Sequence, residues 1–201
     1  MISALVFLAS ISLYLHTLCP TVSTGDTAEL MLAGLGLDVT HPPGYPLQCL
    51  LVRLSVFIPA GSLMFRAGLI PACAGAGACA LVFRAARLIG ASPSCAALAA
   101  GLTAVSPVVW QQSTQLEKYS LQMLFAMMVL SAAFSPKVRV LARIFIFALA
   151  LTHHSLAVLL APVLALGLGK AAGPGTRALA RTAVIAASLV VLPLGLKPLY
   201  T

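Results

Sequence analysis

The sequence predicts an all-α, polytopic membrane helix bundle. Three observations carry this reading. Of 201 residues, 61% are hydrophobic and only 8% are charged. The apolar stretches run to about the 20 residues of a bilayer crossing. The connections between them are short and polar. A soluble domain carries about a quarter charged residues, so the solvent for most of this chain is lipid. Its length predicts one transmembrane domain over 1–201, with roughly seven spans.

Residues 1–18 read as an uncleaved first span, because they lack a basic leading segment and a small-residue cleavage site. Residues 20–48 form a large first outer loop. Residues 49–65, with Arg53 among apolar residues, fit an interfacial amphipathic helix. Spans follow at 66–83, 94–110 and 119–135. The stretch from Val138 to Gly169 is interrupted by Thr152-His153-His154-Ser155 and reads either as one long tilted helix or as two short ones. The positive-inside rule favours two. A turn at the His pair puts Arg84, Arg87, Lys137, Arg139, Arg143, Lys170, Arg177 and Arg181 on one side, 8 of the 12 basic residues. Gly173-Pro174-Gly175 is then a cytoplasmic turn, and a last span covers 182–199.

The net charge of +8 would suggest nucleic acid in a soluble protein. Here no basic run is interleaved with aromatics, and nucleic acid is excluded as a partner. The five cysteines contain no CxxC pair and read as small apolar packing residues. Cys19 and Cys49 bracket the first loop, and a disulfide between them is the alternative.

The same topology places all four acids on the non-cytoplasmic face: Asp26, Glu29 and Asp38 in the first loop, Glu117 in residues 111–118. Asp26 and Glu29 are three residues apart and share one face of a helix capped by Ser23 or Thr24. Acids there complement the helix dipole. They also suit a general base with a second carboxylate that orients it or a cation. His41-Pro42-Pro43-Gly44-Tyr45-Pro46 is a rigid loop. It is either a stiff turn or a device that holds His41 and Tyr45 toward a site. Trp110 and Tyr119 suit interfacial anchoring, and Glu117 and Lys118 suit solvated loop charges or a site near the first loop. His153 and His154 lie about 100° apart on a helix, too divergent for one metal ion. Either one suits a phosphate contact or a satisfied bundle position. No Walker lysine motif, GxSxG or HExxH occurs.

Pro20 to Glu29 followed by His41-Pro42-Pro43-Gly44-Tyr45-Pro46-Leu47 resembles the first outer loop of a bacterial polytopic family. That family, long labelled a domain of unknown function, is related to the transmembrane-protein-260 type of protein O-mannosyltransferase. Trp110 to Leu121 and Thr152 to Ser155 resemble its later elements, in the same order. The resemblance implies a GT-C glycosyltransferase fold in the cell (inner) membrane. The donor would be a sugar on a polyprenyl-phosphate carrier, with membrane lipid around it and a protein or glycan hydroxyl as acceptor. It assigns the catalytic role to Asp26, with Glu29 beside it. His41, Tyr45, Glu117, Lys118, His153 and His154, with Arg66, are then candidates for holding donor and leaving phosphate. No cofactor is assigned, and a divalent cation is compatible with the acid pair. Family members run longer, so this chain corresponds to their N-terminal part. The alternatives are a transporter using the carboxylates for ions and a non-catalytic membrane remnant.

Overall fold

A computed structural model of the chain describes residues 1–42 and 44–171, with side chains to Leu168. The described residues are all helix and connecting turns: α1 Ile2–His16, α2 Thr27–Gly36, α3 Pro46–Ser55, α4 Leu63–Leu88, α5 Pro93–Val105, α6 Pro107–Thr114, α7 Tyr119–Phe134, α8 Val140–His153, a 3-10 segment Ser155–Leu160, and α9 Ala161–Ala171. The expected last span, the turn at 173–175 and the sidedness of Arg177 and Arg181 lie outside the described residues.

Helix α4 is the axis of the bundle and packs against α1, α3, α5, α6 and α7. Its buried face is built from Ala72, Ala74, Gly75, Ala76 and Ala78. Small residues let neighbouring backbones approach closely. Ser62 starts the helix by accepting the Phe65 amide, which moves the span out to 63–88 from the expected 66–83. Its 26 residues reach about 39 Å at 1.5 Å per residue, enough for a 30 Å hydrocarbon core. Among the described residues, α4 is the one single helix long and apolar enough to cross a bilayer. The expected span at 94–110 is broken. Ser106 ends α5, Pro107 opens α6, and the two helices meet at 60°. Proline at the first helical position removes no needed donor there and suits a new start. Helices α1, α7 and α8 and the stretch 155–168 are apolar but shorter.

Two local expectations are corrected. The 20–48 loop holds a full helix, α2, and helix α3 begins at Pro46 and ends at Ser55 instead of running over 49–65. Pro46 sets the start, and the Pro59-Ala60-Gly61 break separates α3 from α4. Helices α2 and α3 form a hairpin sealed by Leu30, Met31, Tyr45 and Val52. A Cβ on Gly34 would lie 2.4 Å from Val52, so the hairpin closes only around a glycine. Arg53 ties it further by donating to the Leu35 carbonyl at 3.1 Å.

The stretch after Val138 folds back on itself. Arg143, at the start of α8, donates to the Gly167 carbonyl near the end of α9, 24 residues on. The chain therefore reverses at His153-His154, as the basic residues predict. The same buried guanidinium holds the Ser135 and Val138 carbonyls in the connection between α7 and α8.

Candidate active site

Six helix ends converge opposite Arg143. The Cys19 amide, just after α1, donates to the Thr114 carbonyl at the end of α6 at 2.9 Å. Trp110 Nε1 donates to Thr17 Oγ1 at 2.8 Å. These ties bring the 111–118 segment over the entrance to α2.

Asp26 is the N-cap residue of α2, and neither Ser23 nor Thr24 caps the helix. Ser23 Oγ instead lies 2.8 Å from Thr27 Oγ1. Gly25, at φ +85°, turns the chain just before the helix, which moves the cap two residues on. The orphan amide of Asp26 goes to Glu117 Oε1 at 2.9 Å. A Cβ on Gly25 would sit 2.5 Å from that oxygen. Gly25 is thus a functional position that the sequence reading left without a role, although a glycine directly before a helix-start acid is a visible signal.

Glu117 and Lys118 are buried rather than solvated, at 5% and 3% exposure. Burial pushes the Glu117 carboxyl above its ordinary range. Burial also lowers Lys118. The Lys118 ammonium bonds Asp26 Oδ2. It also stands 4.9 Å from the Tyr45 ring centre and 4.8 Å from that of Tyr119, a cation–π cage on two sides.

The Pro-rich loop delivers the other half. His41 Nδ1 lies 2.8 Å from Glu29 Oε2, and the His41 backbone amide donates to Glu29 Oε1. These two bonds, the backbone one foremost, hold the Glu29 carboxyl below its ordinary value. With Nδ1–H on the carboxylate, Nε2 accepts from the Tyr45 hydroxyl at 3.2 Å. His41 Nε2 is 3.9 Å from Asp26 Oδ2. Tyr45 sits at φ +41°, a costly conformation for a side chain of that size, and is buried among His41, Lys118 and His154. Burial raises its phenol to about 12.

His153 and His154 diverge, their ring planes 64° apart. His154 Nδ1 accepts the Leu156 amide, and its ring faces Tyr45. Burial lowers His154, with a further push from Lys118. His153 faces the Lys118 backbone. The structure therefore gathers Asp26, Glu29, His41, Tyr45, Glu117, Lys118 and His154 in one cluster, with His153 behind it. Arg66 stands outside the cluster and donates to the Ala60, Val56 and Gly61 carbonyls. Asp38 Oδ1 accepts its neighbour's amide at Val39. Cys19 and Cys49 are free thiols, not a disulfide.

Asp26, Glu29 and His41 each offer a donor atom within 4.8 Å of the others. Oxygen and imidazole donors in that set suit a divalent cation. All three already have partners in Lys118 and one another. A mainly apolar groove of about 420 Å³ is lined by Leu51 and Leu54 of α3, Arg66 and Leu69 of α4, and Leu121 and Leu124 of α7, and Leu121 lies one helical turn along α7 from Lys118. Both α3 and α7 start at the cluster, from Tyr45 and Lys118.

The model of the protein O-mannosyl-transferase TMEM260 N-terminal domain matches residues 26–169, which takes in every residue of the cluster. Protein O-mannosyl-transferase TMEM260 of Mus musculus is 37% identical over 124 residues, 61% of this chain and 18% of the mouse protein. Protein O-mannosyl-transferase tmem260 of Dictyostelium discoideum is 30% identical over 129 residues, 63% of this chain and 16% of its own length. No solved structure matches. The matched part is less than a fifth of either relative. The family model covers well over half of the chain, and the chain belongs to the TMEM260 N-terminal domain family.

Proposed function

We propose that this chain is the donor-handling part of a membrane glycosyltransferase of GT-C type. It moves a mannose-type sugar from a polyprenyl-phosphate carrier to a protein or glycan hydroxyl. It sits in the cell membrane as one multi-pass unit, with the cluster on the non-cytoplasmic face. The observation that carries the reading is the pairing of Asp26 with Lys118 at the head of an apolar groove. A carboxylate base, a cation for phosphate and a channel for an isoprenoid tail then lie in sequence.

Asp26 accepts the proton of the acceptor hydroxyl as its oxygen bonds to the anomeric carbon. The bond from that carbon to the phosphate oxygen breaks, and the electron pair leaves with the polyprenyl phosphate. Attack and departure on opposite faces of the sugar invert the anomeric centre. Phosphate is already a good leaving group, so its charge needs stabilisation more than a proton. Lys118, desolvated and caged, supplies this. In the resting site the ammonium holds Asp26; an arriving phosphate offers it a second anion and frees the carboxylate to act as base. Glu29 orients His41, and Tyr45 locks both against Lys118. A cation at Asp26, Glu29 and His41 would add positive charge beside the phosphate, and no step above depends on it.

The test is transfer from polyprenyl-phosphate mannose to a hydroxyl-bearing peptide by the chain in nanodiscs. Wild type transfers mannose and Asp26→Asn loses at least about a hundredfold, the low end of general-base contributions. Asp26→Asn at the wild-type rate would sink the mechanism.

A further inference from the structure

We infer that His153 is a positioning residue, which holds the Lys118 backbone from inside the bundle and so sets where the Lys118 ammonium stands. Its link to sugar transfer rests on the function proposed above; the contact itself does not.

His153 is 1% exposed. Its Nε2 lies 3.0 Å from the Lys118 carbonyl oxygen. A carbonyl only accepts, so the proton is on Nε2. Among the described residues Nδ1 is buried without a partner, and the ring lies 5.8 Å from that of Phe125. The pairing is informative because of where Lys118 sits. It is the N-cap residue of α7, and its carbonyl also receives the Gln122 amide at 3.1 Å. The Nε2–H fills the second lone pair. One residue is thus gripped at both ends, its carbonyl by the α8 turn and its ammonium by Asp26. The reversal at the His pair is what brings His153 to α7, 35 residues away in sequence. His154, the neighbour, is occupied with Leu156 and Tyr45 and cannot replace it.

The test acylates lysines of the full chain in nanodiscs with a small amine-reactive acyl donor and reads Lys118 against exposed Lys137 by mass spectrometry. His153→Met fills the space without an N–H donor. It is expected to raise the Lys118:Lys137 labelling ratio about tenfold, the equivalent of one hydrogen bond. His153→Gln keeps an amide N–H at similar reach and is expected to restore the wild-type ratio. An unchanged ratio in folded His153→Met overturns the inference, as does an equal rise in His153→Gln. If His153→Met fails to fold, His153→Gln still decides: wild-type protection supports the grip and a rise overturns it. In the transfer assay, His153→Met is expected to raise the donor KM and leave the acceptor KM unchanged; equal shifts in both would argue against it. Wild-type protein that transfers no sugar would end the proposed function while the labelling ratio still judged this contact.

Discussion

The Glu117 carboxylate receives the Asp26 amide across 91 residues of sequence, at a point where Gly25 leaves no Cβ in the way. The relationship fixes the first turn of α2 to a segment from another part of the bundle. It makes position 25 a sterically exacting one.

Gly25→Ala tests it directly. A left-handed backbone costs an L-residue about 1–2 kcal/mol, and the new methyl would meet Glu117 Oε1 at 2.5 Å. A loss of at least about 2 kcal/mol is expected in chemical unfolding in detergent. Wild-type stability would show that the contact gives way.

Glu117 predicts a pH dependence. Burial raises its carboxyl above the ordinary 4.5. The folded state then keeps the proton to a higher pH than the unfolded chain does. Its contribution is complete below about pH 4.5 and is lost as pH rises through the folded value. Glu29, held low by His41, works in the opposite sense: its contribution is present above 4.5 and lost as pH falls through its folded value. Glu117→Gln should flatten the decline in unfolding temperature between pH 4.5 and 7. An unchanged decline would assign it to other groups.

Lys118→Met should leave the fold intact, because Asp26 is 31% exposed and can hydrate once its partner is gone. The donor KM should rise at least about tenfold, since a charge-assisted bond to phosphate is worth about 1.5–3 kcal/mol. A normal KM would remove Lys118 from donor binding.

Arg143→Met should destabilise the α8–α9 hairpin. It strips the donors from the Ser135, Val138 and Gly167 carbonyls. A buried acceptor that loses its donor costs about 1–3 kcal/mol, and the Gly167 carbonyl is the buried one of the three; the Ser135 carbonyl keeps the Val138 amide. A drop in monodisperse yield and in unfolding temperature is expected, and full recovery of both would show the carbonyls rehydrate.

Sidedness can be read with single cysteines in an otherwise cysteine-free chain. Asp38→Cys should react with an impermeant thiol reagent in intact cells, and Lys137→Cys only after permeabilisation. Labelling of both from one side would break the topology.

The helical class was legible from composition, and the reversal at His153 from the placement of Lys and Arg. Which residues meet was legible only as motifs. Spacing says that Asp26 and Glu29 are neighbours; it is silent on Glu117, because a contact over 91 residues depends on the whole bundle. Ser23 and Thr24 misled because capping preference is local, while the actual donor was satisfied from a distant segment. Glu117 and Lys118 left two readings open, solvated loop charges or a place near the first loop, because charged residues in a short connection usually face water. Here the bend at Pro107 tucks them inside, and hydropathy cannot register a bend.

That bend has a consequence for how such chains can diverge. Trp110 is fastened to Thr17 and Thr114 to Cys19, and Lys118 is reached four residues later. Between the kink and the cluster only the short connection at 115–118, with Leu116 and Glu117 buried, is left to absorb an added or missing residue. One insertion or deletion between Pro107 and Leu116 would swing Glu117 off the Gly25 turn and take Lys118 from Asp26 together. Length changes should therefore be tolerated in the exposed turn near Gly90 and rejected here, so that this stretch keeps a constant length even where its residues change.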